Sequence, residues 1–132
     1  MSRAERTLRE QRPMLAEFLA DVGLHAAGGR LDLRALLSPF DRWLREQDLA
    51  REEVPFVASR LAAFISLYFE DTAGAAQAVV DGRILLRVPL EAGVVREFDA
   101  YGLAFHAAQQ RPIALRGLIE AIAPVAGREP PA

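Results

Sequence analysis

Glu70 and Asp71 are neighbouring carboxylates at the end of an apolar run. A helix C-terminus disfavours negative charge, and a local conflict of that kind marks a candidate cation-binding or acid/base pair. Adjacent helical positions point about 100° apart, however, so the two cannot easily converge. The simpler expectation is two solvated carboxylates paired with Arg60, Arg83 or Arg87. Tyr101 and His106 are the other candidates for ligand or acid/base chemistry. With Glu70 and Asp71 they would form a carboxylate, histidine and arginine cleft near the segment 75–98. His106 lies beside Leu103 and Ala107, which also suits a histidine at the edge of a helix's apolar face. His25 sits among glycines with no second ligand nearby. Ser59 and Ser66 have no histidine local to them. With two histidines and no cysteine in 132 residues, no metal site and no cofactor is expected. Phosphate-cradling glycine loops, paired-histidine metal motifs and nucleophile elbows are all absent from the sequence.

Composition narrows the classes further. Hydrophobic residues make up 52% and charged residues 26%, the profile of a soluble globular protein of one domain. There is no apolar run of membrane-spanning length, and the charged first twelve residues do not resemble a leader peptide. A net charge of −2 argues against a protein that coats nucleic acid. All 16 basic residues are arginine, which with abundant Ala, Leu and Gly reads as the codon usage of a GC-rich bacterial genome. A bacterial, cytoplasmic protein is the resulting expectation.

These side chains must be held by elements that the patterning predicts. Arg3, Arg6, Arg9 and Arg12 recur every third residue and spread over one broad face of a first helix. Its basic start is expected to fray. Pro13 restarts or continues that helix, and Leu8, Leu15, Phe18, Leu19 and Val22 form its apolar stripe. Gly23 and the Gly28-Gly29 pair end it. Asp32 caps a short segment carrying Leu33, Leu36 and Leu37. Ser38-Pro39-Phe40-Asp41 then reads as a new helix start with a capping box, followed by Trp43 and Leu44. After a charged link at 49–54, Pro55 opens a helix with Val57, Leu61, Phe64, Ile65 and Tyr68 on one face and Phe56, Ala63 and Leu67 opposite. A helix apolar nearly all round belongs at the centre of the fold. Gly74 stops it.

Asp81-Gly82 between two aliphatic runs is the strongest local hairpin signal in the chain. It sets Val80 against Arg83, Val79 against Ile84, Ala78 against Leu85 and Gln77 against Leu86. One face then carries Ala75, Gln77, Val79, Ile84, Leu86 and Val88, and is the core face. The other carries Ala76, Ala78, Val80, Arg83, Leu85 and Arg87. A lone hairpin is marginal, so Gly93–Phe98 is read as a third strand, its alternative being an early helix start. Asp99 caps the next helix, in which Gly102 signals close packing against a neighbour. Arg111-Pro112 breaks the chain before a last amphipathic helix at 113–123. Residues 124–132 are expected to be a disordered tail.

The expected architecture is thus α+β: a single domain over 1–123, mostly helical, with four or five helices and a small antiparallel sheet at about 75–98. The expected function is a non-enzymatic protein-binding module: an adaptor, an immunity or antitoxin-like partner, a chaperone or a self-associating regulator. Its contact residues would be Trp43, Val80, Arg83, Leu85 and Arg87, and its partner another protein or a second copy. An aliphatic patch rimmed by arginine suits such a contact. The alternative is a small enzyme or ligand-binding domain built on the cleft near the hairpin.

Overall fold

The computed structural model describes residues 1–24 and 30–123. The readings made for His25, Gly28-Gly29 and the tail at 124–132 lie outside the described residues. Within them the fold is α+β, five helices and one three-stranded antiparallel sheet. The helices are α1 (Arg3–Asp21), α2 (Leu33–Arg45), α3 (Val54–Ala73), α4 (Ala100–Ala108) and α5 (Leu115–Ile122). The strands β1 (Ala76–Val80), β2 (Arg83–Pro89) and β3 (Val95–Phe98) lie in that order.

α3 is the central helix, as its all-round apolar sequence requires. It packs against α1, α2, α4 and β2. Leu61, Phe64 and Ile65 are fully buried, while Tyr68 is only half-buried. Pro55 occupies its first turn, where a missing N–H costs nothing. Gly74 ends it with φ +68°, a left-handed conformation that glycine adopts without strain.

α1 continues through Pro13, one of the two outcomes expected there, but α2 also runs through Pro39, where a helix start was expected. Ser38-Pro39-Phe40-Asp41 is therefore not a helix start. Asp32 caps the whole of α2, its carboxylate accepting from the Ala35 N–H at 3.2 Å. The reason is burial. Leu33, Leu36, Phe40 and Leu44 form one uninterrupted buried stripe across the proline, which outweighs the lost hydrogen bond to the Ala35 carbonyl. The basic start of α1 is likewise held, by a reciprocal capping box. Ser2 Oγ accepts from the Glu5 N–H and Glu5 Oε1 from the Ser2 N–H, both at 3.1 Å. The Ser2 N–H also holds the Glu5 carboxyl below its ordinary pKa.

The hairpin has the expected register, from Val80↔Arg83 through Gln77↔Leu86. Asp81 (φ +51°) and Gly82 (φ +77°) are both left-handed, as a two-residue turn of this type needs. A Gly82→Val variant is expected to lose about 1 kcal/mol or more, because a β-branched residue is strained at that φ. A thermal melt is the check, and an unchanged midpoint would contradict the assignment.

β3 joins β2, with Leu86↔Phe98 and Arg87↔Glu97. The face bearing Leu86 and Val88, both fully buried, lies toward the helices. The opposite face is not roofed by α5, which packs on α2 and α4 instead. Leu85 there is half-buried, between Arg83 and Arg87. A Leu85→Glu chain should accordingly stay folded and lose less than about 2 kcal/mol, since only part of the side chain leaves water on folding. Unfolding of that variant in a chemical melt would show that something covers this face.

Candidate functional site

A cleft of about 700 Å³ opens where α1, α3, the hairpin tip and the start of α4 meet. Helical spacing builds two of its walls. Arg3, Thr7, Gln11 and Met14 recur at intervals of three or four along α1 and so share a face. Phe56, Ser59, Arg60 and Ala63 do the same on α3. Gly82, Arg83 and Ile84 of the hairpin and Tyr101 of α4 complete the lining. The lining charge is three arginines, Arg3, Arg60 and Arg83, against one aspartate, Asp99. The cleft is a locally positive hollow on a chain of net charge −2.

Asp99 is already committed. One carboxylate oxygen accepts from the Gly102 N–H at 3.0 Å and caps α4; the other accepts from Arg83 Nη2, also at 3.0 Å. A Cβ at Gly102 would stand 2.7 Å from Asp99 Oδ2, so a larger residue there would push the capping carboxylate aside. The expected close approach of another element does not occur, since the atoms nearest that position are those of Asp99.

Arg60 differs. Its guanidinium lies 4.6 Å from the Phe56 ring centroid and Nη1 donates to Ser59 Oγ at 3.1 Å. It has no carboxylate within 4.0 Å among the described residues, and its buried Nε has no acceptor.

At the cleft's inner end Gln11 and Gln77 exchange amide hydrogen bonds of 2.7 and 3.1 Å. Gln77 Nε2 also donates to Glu70 Oε2 at 2.6 Å, which satisfies a glutamine on the core face of the sheet. Glu70 and Asp71 meet neither Arg60, Arg83 nor Arg87. Their partner is Arg12, whose Nη2 lies 2.7 Å from Asp71 Oδ1 and 3.9 Å from Glu70 Oε1. The hydrogen bond to Asp71 raises the Arg12 pKa above its ordinary value. The pair therefore ties α1 to the end of α3.

The structure separates the four acid/base candidates. Glu70 and Asp71 engage α1, Tyr101 lines the cleft, and His106 is exposed in the last turn of α4, outside the cleft lining. Among the described residues no cluster of three or more His, Asp or Glu gathers that could hold a metal ion.

The contact candidates also divide. Val80, Arg83, Leu85 and Arg87 share the outer sheet face; Arg83 at the hairpin tip also lines the cleft, whereas Arg87 Nε donates to Glu97 Oε2 at 2.6 Å away from it. Trp43 is half-buried and packs on the buried core aromatics, its ring centroid 5.6 Å from Phe18 and 6.2 Å from Phe40. The sequence places Phe56 on the apolar circumference of a covered central helix, whereas the structure leaves it half exposed at the start of α3. The sequence offers Arg60 only as a partner for Glu70 or Asp71. The available signal was an arginine four residues after a phenylalanine at the head of an otherwise apolar helix. Comparison with known proteins gives no match to any family model, curated protein or solved structure.

Proposed function

We propose that the protein is a binding module for another protein, and that the partner docks on the mouth of the cleft at the hairpin tip. One observation carries this reading. Six large hydrophobic side chains are exposed among the described residues, and both aromatic ones, Phe56 (52% exposed) and Tyr101 (44%), line this cleft. Arg3, Arg60 and Arg83 line it beside them. Aromatic anchors and arginine around a pocket are the side chains that carry most of the energy of protein–protein contacts.

The cleft volume also falls within the range of small-molecule sites, which favours a ligand-binding domain as the second reading. The two exposed aromatic side chains beside arginines support the first over the second, because such anchors are typical of protein contacts.

The test is photo-crosslinking in the native host, with a photoreactive side chain at Phe56, at Tyr101, or at the exposed Arg34 on α2 as control. The same discrete protein adduct is expected from the first two positions and not from the third. Adducts no different from those of the control would overturn the reading.

A further inference from the structure

We propose, resting on the protein-binding reading, that Arg60 is the anion-receiving residue of the cleft. The docking segment it takes is a peptide stretch presenting an aspartate or glutamate between aliphatic or aromatic side chains. The geometry favours this chemistry in three ways. Arg60 is a half-buried cation with no carboxylate within reach among the described residues, although Asp99 lines the same cleft. Both oxygens of Asp99 are already engaged, one on the α4 cap and one on Arg83. An anion entering the cleft would supply the carboxylate that Arg60 lacks.

Second, the guanidinium is engaged on one side only. Nη1 is used by Ser59 and one ring face by Phe56, which leaves Nε without an acceptor. A guanidinium edge matches the two oxygens of a carboxylate. Leaving a buried donor unmet is unfavourable, so pairing it on binding is a gain made only in the complex. Third, the cleft that Arg60 lines also carries apolar side chains, among them Leu15, Phe56, Ile84 and Tyr101. They suit the apolar residues flanking the acid, and exclude water from the pair once filled.

The experiment is selection of displayed random peptides on the whole protein, followed by titration of a selected peptide against wild type, Arg60→Gln and Arg60→Lys. Melting temperatures of the variants establish that each is folded. Peptides with an acidic residue set among apolar ones are expected. Arg60→Gln should weaken the selected peptide by roughly ten- to a hundredfold, and Arg60→Lys by less, since charge remains but the fork is lost. Replacing the peptide's acid by its amide should weaken wild-type binding by a similar factor and Arg60→Gln binding hardly at all.

Peptides that bind at Phe56 without an acid, and are indifferent to Arg60→Gln, would overturn the proposal while leaving the protein-binding reading standing. Absence of any Phe56-dependent peptide, with Arg60-dependent binding of decanoate instead, would overturn both and make this a small-carboxylate site.

Discussion

An Asp41→Ala chain is expected to lose about 3 kcal/mol of stability, a fall in melting temperature of roughly 10 °C. Asp41 is buried on α2, yet it caps a different helix. Its Oδ1 accepts from the Leu115 N–H at 2.9 Å and the Arg116 N–H at 3.4 Å, and its Oδ2 accepts from Arg45 Nε at 3.0 Å. α5 has no capping side chain of its own, because Ala114 stands at its cap position. Truncation therefore leaves the buried Leu115 N–H unmet and also removes the charge that favours a helix N-terminus. A cap alone contributes about 1 kcal/mol; the burial and the charge-assisted bonds account for the rest. Asp41→Asn keeps an acceptor and should cost clearly less. Arg45→Ala removes only the half-exposed partner and should cost under about 1 kcal/mol. Chemical denaturation of the three variants checks the order, and equal losses would show that the ion pair rather than the cap is what matters.

This contact also shows where sequence reading stops. The hairpin was legible because Asp-Gly fixes a two-residue turn, the turn fixes the register, and period-two alternation then decides which face is buried. The central place of α3 was legible because apolar residues all round a helix leave no face for water. Asp41 was read as a local capping residue since nothing near it in sequence reveals a helix that starts 74 positions later. Pro39 misled for a related reason. Proline's penalty is local and visible, while the burial of Phe40 and Leu44 that outweighs it is tertiary and is not.

The cleft was legible only in fragments. Arg83 and Tyr101 were singled out for other reasons, and the hairpin was the right neighbourhood. Its walls come from four separate stretches of chain, and no spacing rule connects Arg3, Arg60 and Asp99. The pairing of Glu70 and Asp71 with Arg12 depends on how α1 lies against α3, and no local pattern encodes that placement.

The second large effect is expected at Phe18, whose replacement by Ala should cost about 3–5 kcal/mol. Phe18 is nearly buried, and its ring meets Phe40 at 6.2 Å, Trp43 at 5.6 Å and Phe56 at 5.8 Å, all edge to face. It thus anchors α1 to α2 and α3 at once, and links the core aromatics to the exposed Phe56 on the cleft wall. Its removal opens a cavity and frees Phe56 on the side away from Arg60. Phe56→Ala makes the informative contrast. Half of that side chain already faces solvent, so its loss should cost no more than about 1 kcal/mol. Under the proposed function the ranking reverses for binding. Phe56→Ala should abolish capture of a selected peptide at a temperature where the chain is fully folded. Phe18→Ala, assayed in the cold where it is still folded, should weaken capture through a displaced α1 wall without abolishing it. A denaturation midpoint and a peptide titration on each variant separate the two roles. If Phe56→Ala is as destabilising as Phe18→Ala, Phe56 is a core residue and the rim loses its principal anchor.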